Sequence, residues 1–210
     1  NELASRCWLR QDVAVLALVV VAHPCGDSLT HALAERAEAG LRTAGYAVAL
    51  LDLYALGFRA AMSEAERTSY HEDQPILDPM VAEHANLIKQ ATVVVFVYPT
   101  WWSGLPAILK GWLERVIVPG VGFHFDERTG KVKPGLGHVR RLVGISTYGS
   151  PRSAVRLIND NGRRTISRAL RLSCGVRTRT QWLGLYSVDN STKSERQDFA
   201  ASVERTMASL

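Results

Sequence analysis

His23 and Ser28 close a polar loop between an apolar run and a segment with helical spacing. The loop reads His23-Pro24-Cys25-Gly26-Asp27-Ser28-Leu29-Thr30. Where such a loop enters a helix, free backbone N–H groups and the helix dipole favour a phosphate. Ser28 and Thr30 add hydroxyls and His23 a further donor; the plainer reading is a βα turn with Ser28 as N-cap. A second group is Tyr98-Pro99-Thr100-Trp101-Trp102-Ser103-Gly104-Leu105-Pro106. Its adjacent tryptophans suit a wall for a flat ring system, or else they pack under the next helix or in a subunit contact. The third, Ser146-Thr147-Tyr148-Gly149-Ser150, offers hydroxyls, N–H groups and another aromatic, or is an ordinary glycine turn.

Other chemistries find no support. The chain has neither GxGxxG nor GxxxxGK[ST], which argues against a Rossmann dinucleotide site and a P-loop. It has no GxSxG elbow. His23, His31, His71, His84, His124 and His138 form neither HExxH nor a paired metal spacing, so no metal site is expected. His71-Glu72-Asp73 reads as a solvated loop, because adjacent residues rarely converge on one ion. Cys7, Cys25 and Cys174 are odd in number and far apart, which argues against a disulfide framework and fits a reducing cytoplasm. Cys25, near a helix start, reads as a loop spacer.

These loops need strands to carry them. Residues 13–22 are continuously apolar, as a strand covered on both faces would be. With Arg6 and Arg10 before it the run faintly resembles a signal peptide; it is too short to span a membrane, which takes about 20 residues. Ser28 then opens a helix carrying Leu29, Leu33, Ala37 and Leu41 on one face, stopped at Gly45. Further strands are expected at 46–53, 92–98, 139–147 and 176–185. The connection 54–77 is irregular, with one helical turn where Ser63 and Glu66 have capping-box spacing. Asp78-Pro79 opens another helix. Ala107–Val116 and residues 152–173 are expected to be helical, residues 117–138 a loop, and 191–210 a final amphipathic helix. Alternating strands and helices imply an α/β fold, one parallel sheet between helical layers. The favoured strand order is 2-1-3-4-5, with ligands at the carboxyl ends of strands 1, 3 and 4. Residues 1–210 read as a single domain with an N-terminal extension at 1–12.

The net charge of +5 is too small to argue for nucleic-acid binding unless it is clustered. One cluster exists. Arg152, Arg156, Arg163, Arg164, Arg168, Arg171, Arg177 and Arg179 face a single acid, Asp160. The stretch is a solvated helix face, a docking face for an acidic partner, or a seat for the 2′-phosphate of NADPH on Arg152 or Arg156.

The segment from Tyr98 to Trp112, Tyr-Pro-Thr-Trp-Trp-Ser-Gly-Leu-Pro-Ala-Ile-Leu-Lys-Gly-Trp, resembles the signature of the NAD(P)H:quinone oxidoreductases. That flavodoxin-like family also includes modulators of drug activity and ancillary subunits of potassium-efflux systems. Ala22-His23-Pro24 with Ser28 is similar to the family's first flavin loop, and Ser146–Gly149 stands where its third loop stands. The resemblance implies a five-stranded flavodoxin-like sandwich holding FAD or FMN. His23, Ser28, Leu29 and Thr30 would meet the flavin phosphates. Pro99, Thr100, Trp101, Trp102 and Ser103 would wrap the isoalloxazine edge, and Thr147, Tyr148 and Gly149 would reach its pyrimidine end. It implies hydride transfer from NAD(P)H to a quinone by two-electron ping-pong, in a cytoplasmic homodimer without membrane insertion; Tyr148 is the catalytic candidate, as donor of a proton or a hydrogen bond to the quinone oxygen. The other roles open to the same fold are a flavin-bearing regulatory subunit of a membrane transporter and a small electron carrier, whose usual acidity the +5 charge opposes. The chain has Leu29-Thr30 where the family commonly has Phe-Asn, and Ser103 where it commonly has Phe. Val155 and Asn161 stand near the places where the best-known animal enzymes carry a Tyr and a His.

Overall fold

The computed structural model describes residues 15–210. Arg6, Cys7, Arg10, the extension 1–12 and the first two residues of the expected first strand lie outside them. In chain order the strands are β1 (Leu16–Val21), β2 (Ala47–Asp52), β3 (Val93–Pro99), β4 (Phe123–Phe125), β5 (Val132–Pro134), β6 (Arg141–Thr147) and β7 (Arg179–Leu185). The helices are α1 (Leu29–Thr43), α2 (Glu64–Ser69), α3 (Pro79–Gln90), α4 (Ala107–Val116), α5 (Arg152–Leu157), α6 (Asn161–Arg164), α7 (Arg171–Cys174) and α8 (Lys193–Ala208). A π-helical turn, Thr165–Leu170, joins α6 to α7.

Five strands pair in parallel in the order β2-β1-β3-β6-β7. With the sheet strands counted alone, this is the order expected from the sequence. The period-2 alternation of a strand sends neighbouring residues to opposite faces. Leu18, Val20, Phe96 and Tyr98 therefore join α3, α4 and the 161–174 segment in one buried cluster. Ala17, Val19, Val21, Val93, Val95 and Val97 join α1 and α8 in the other. Both faces being covered, the central strands are apolar throughout. The register sets Val21 level with Val97 and Pro99 level with Thr147, so the loops after β1, β3 and β6 leave one edge together.

Local chemistry accounts for the helix ends. Ser28 caps α1, Asp78 caps α3 with Pro79 at its first position, and Ser63 with Glu66 forms a complete capping box on α2. Gly45 takes φ +88°, the left-handed conformation in which glycine carries no Cβ penalty.

Three expectations need correction. Residues 117–138 are not all loop, because β4 and β5 form an antiparallel hairpin. Residues 152–173 are not one helix: Asn159 (φ 80°) and Asp160 (φ 42°) adopt left-handed conformations, which those side chains tolerate, and break it. The last sheet strand begins at Arg179, since Gly175 (φ +89°) ends α7 and leaves Val176 exposed.

Candidate functional site

The three expected loops meet. Thr100 donates its backbone N–H to the Thr147 carbonyl at 2.8 Å, and its hydroxyl pairs with Ser146 Oγ at 2.8 Å. The His23 and Trp101 ring centroids lie 6.0 Å apart, which joins the first loop to the second. Asn161 N–H donates to the Ser103 carbonyl at 3.1 Å, bringing the start of α6 to the same edge.

The second loop is a tight turn. Trp101 and Gly104 exchange backbone hydrogen bonds, while Trp102 (φ 46°) and Ser103 (φ 59°) are both left-handed. Non-glycine residues in that conformation cost of order 1–3 kcal/mol each and concentrate at ligand sites. Trp102 is fully exposed and Trp101 is 42 % exposed, so neither packs in the core. A large aromatic standing in solvent on a rigid turn is a ready contact for a ligand.

A cavity of about 250 Å3 lies between this turn and the third loop, lined by Thr100, Trp102, Ser103, Tyr148, Gly149, Ser150, Val155, Ile158 and Asp160. Tyr148 forms its wall and is itself 2 % exposed. Its hydroxyl donates to Asp160 at 3.2 Å and accepts from Trp182 Nε1 at 3.0 Å. Burial, reinforced by the Asp160 charge, pushes the phenol well above its ordinary range. The proton that the sequence reading gave to an acceptor is thus turned toward Asp160. Trp182 reaches Tyr148 because Gly144 lies beneath it; a Cβ there would come within 2.0 Å of the indole.

At the first loop, His23 Nδ1 lies 3.1 Å from the Cys25 backbone nitrogen and 3.2 Å from the Cys25 carbonyl oxygen, so the loop backbone holds the ring in place. Leu29 and Thr30 occupy the first two helical positions, where backbone N–H groups have no intrahelical acceptor. The Thr30 side chain is buried, so its offering is the backbone group. The Ser28 hydroxyl accepts from His31 N–H at 3.3 Å and pairs with His31 Nδ1 at 2.9 Å. His31 Nε2 in turn meets Asp52 Oδ2 at 2.8 Å.

The sequence reading missed His31, Asp52 and Asp160. Ser28 and His31 are one helical turn apart and Asp52 ends the strand beside β1, so the signal was present in the strand order. Asp160 was visible only as the lone acid in the arginine stretch. Cys25 is exposed and Cys174 buried, with its thiol pushed up to about 12 by burial. Among the described residues no cluster of metal-ligating side chains occurs and no helix is long and apolar enough to cross a membrane.

A family model described as flavodoxin-like fold matches residues 17–208. The chain is 33 % identical over 149 residues to NAD(P)H dehydrogenase (quinone) 1 of Rattus norvegicus, covering 64 % of this chain and 54 % of that protein. It is 35 % identical over 134 residues to an uncharacterized NAD(P)H oxidoreductase of Haemophilus influenzae, covering 63 % of this chain and 64 % of that one. The chain thus spans between half and two thirds of the length of these relatives. A solved NAD(P)H:quinone oxidoreductase from Methanothermobacter marburgensis superposes with a TM-score of 0.74 at 25 % identity, over 93 % of this chain and 95 % of that one.

Proposed function

The chain belongs to the flavodoxin-like fold family, and from that premise we propose that it is a flavin-dependent NAD(P)H:quinone oxidoreductase. The observation that carries the reading is the convergence of the α1 N-terminus, a left-handed turn bearing exposed Trp102, and the cavity between that turn and Tyr148. These parts fit FAD or FMN: N–H groups for a phosphate, an aromatic edge and a slot for a flat ring. The chemistry a bound flavin supplies is hydride transfer, two electrons at a time, from NAD(P)H to a quinone that visits the same site in turn.

The chain's own residues would do the rest. Leu29 and Thr30 N–H, the His23 ring and Ser28 would hold the phosphate. Pro99, Thr100, Trp101, Trp102 and Ser103 would bound the ring edge on the turn. The backbone around Thr147, Tyr148 and Gly149 would face the pyrimidine end, where its N–H groups stabilise negative charge. Tyr148 donates to Asp160 and so holds that carboxylate on the cavity wall.

Purified protein should carry flavin, identified by chromatography after heat release, and should oxidise NAD(P)H with a quinone. Trp102→Ala should lower flavin affinity or quinone turnover roughly two- to tenfold, the worth of one aromatic contact of about 0.5–1.5 kcal/mol. Because the indole is fully exposed, the unfolding free energy should move by less than about 0.5 kcal/mol. Loss of stability with unchanged flavin binding would assign Trp102 to the fold instead.

We further propose that the enzyme works in the cytoplasm as a homodimer. The connection 54–77 would carry Tyr70 and the exposed His71 to the partner's cavity; a segment of this length in a compact domain usually has a function. Light scattering should give twice the chain mass, and a monomer with full flavin occupancy would refute the pairing.

A further inference from the structure

We propose that the arginine-lined cleft beside the ring cavity is the seat of the 2′-phosphate and pyrophosphate of NADPH, and that it sets a preference for NADPH over NADH. This rests on the oxidoreductase reading and deepens it.

The cleft has a volume of about 370 Å3, and Arg152, Arg156, Arg163, Arg164 and Arg168 all line it. That is the scale of a small-ligand pocket. It abuts the ring cavity, since Val155 and Asp160 line both. A dinucleotide whose nicotinamide stacks on a flavin ring held in one cavity would lay its phosphates in the other.

The charge of the cleft is compensated only in part, by one carboxylate, Asp160, against five arginines. Arg36, Arg42 and Arg115 each sit against a carboxylate. Among the described residues, none of the five cleft arginines forms such a pair. Asp160, the acid on the wall, accepts from the Tyr148 hydroxyl and from the Arg163 backbone N–H. Like charges around one concavity raise its potential and attract anions.

The backbone builds this arrangement. The left-handed pair Asn159 and Asp160 folds α6 back beside α5, so that arginines from both face one space. The π-helical turn Thr165–Leu170 then carries Ser167 and Arg168 onto the same wall; such turns recur at functional sites. Two arginines are braced on aromatic rings: Arg152 lies 5.9 Å from the Tyr186 centroid and Arg163 lies 5.8 Å from that of Trp182. Arg156, Arg164 and Arg168 remain to grip a ligand.

The ligand class follows from the donors. Guanidinium groups match phosphate oxygens in bidentate fashion. In Rossmann sites a carboxylate meets the ribose hydroxyls of NADH and an arginine the 2′-phosphate of NADPH. The same donor chemistry favours the 2′-phosphate here, where five arginines face one carboxylate. A concave site also suits a small polyanion better than the extended stripe that nucleic acid would need.

The test titrates purified holoprotein by calorimetry with 2′,5′-ADP, with 5′-AMP and with a single-stranded RNA oligonucleotide. The same titrations follow on Arg156→Gln/Arg164→Gln/Arg168→Gln, whose flavin content and melting temperature report its folding. Arg156→Gln alone serves if the triple variant does not fold. We expect 2′,5′-ADP to bind at least tenfold more tightly than 5′-AMP, and the variant to lose at least tenfold for 2′,5′-ADP and less for 5′-AMP. The NADPH-to-NADH ratio of kcat/KM should fall toward one in parallel. Equal affinities for the two nucleotides, an unchanged variant, or RNA that displaces 2′,5′-ADP at lower concentration would overturn the proposal. Protein without flavin that still discriminates the nucleotides would remove the oxidoreductase reading while upholding the phosphate seat.

Discussion

Replacing Arg115 by methionine is expected to remove about 3–5 kcal/mol of stability, because it leaves the buried Glu66 and the partly buried Asp78 carboxylates unpaired. Arg115 is 3 % exposed on α4. Its Nε donates to Glu66 at 2.8 Å, its Nη2 to Asp78 at 2.8 Å and its Nη1 to the Arg59 carbonyl at 2.6 Å. One guanidinium thus ties α4 to three points of the chain between β2 and α3. Burial alone would raise the Glu66 pKa, yet hydrogen bonds from Ser63 and Arg115 hold it below the ordinary carboxylate value. For Asp78 the Arg115 hydrogen bond is the leading cause of a lowered pKa. A folded-state pKa below the unfolded one stabilises at pH above the unfolded value, and that contribution is lost as pH falls through the folded value. Wild-type stability should therefore decline below about pH 4, the ordinary carboxylate range. In Arg115→Met that acid loss should shrink, because the buried carboxylates then gain from protonation. Urea unfolding at pH 7 and across pH 3–5 measures both effects; a change under about 1 kcal/mol at pH 7 would show that the triad contributes little.

Ser28→Ala should weaken FMN binding roughly ten- to a hundredfold, the worth of a hydrogen bond to a charged group of about 1.5–3 kcal/mol. No Lys or Arg lies between His23 and Leu33, so the anion depends on neutral donors. The Ser28 hydroxyl pairs with His31 Nδ1 at 2.9 Å, and His31 Nε2 meets Asp52 Oδ2 at 2.8 Å, so this chain of contacts fixes where the hydroxyl stands at the helix start. Titration calorimetry with FMN on the parent and on Ser28→Ala reads the loss. Riboflavin, which has no phosphate, should be nearly indifferent to the substitution. Equal losses for FMN and riboflavin would mean that the loop holds no phosphate. Loss of the cap itself should cost the fold only about 1 kcal/mol.

The sheet was legible because its strands are apolar runs bounded by polar turns, and their order followed from crossover handedness. Ala107–Val116 was anticipated residue for residue, and the Ser63–Glu66 spacing marked a true capping box. The hairpin of β4 and β5 was not legible, since each strand has three residues and carries no two-faced pattern. Nor was the break at Asn159-Asp160, because helical spacing of Val155, Ile166 and Leu170 continues through it. The loops of the candidate site were readable as loops. Of their side-chain partners, His31 and Asp52 could be found from helical spacing and strand order, whereas Glu66–Arg115–Asp78 joins residues far apart in sequence. Charge composition marked the arginine stretch, yet only the chain reversal at Asp160 turns it into a cleft.

The turn at Trp102-Ser103 sets two demands against each other. A tight turn with both central residues left-handed is most comfortable as Asn-Gly or Gly-Gly. Here it carries a bulky aromatic and a serine, neither relieved by burial of the indole. A chain selected only to stay folded would drift toward glycine at these positions and gain stability as it did so. The glycine turn would also become mobile, and any ring placed against it would have to order it anew. The strain is stored before a ligand arrives, so binding need not supply it, and variants chosen for heat resistance at this turn should be the ones that lose catalytic competence first.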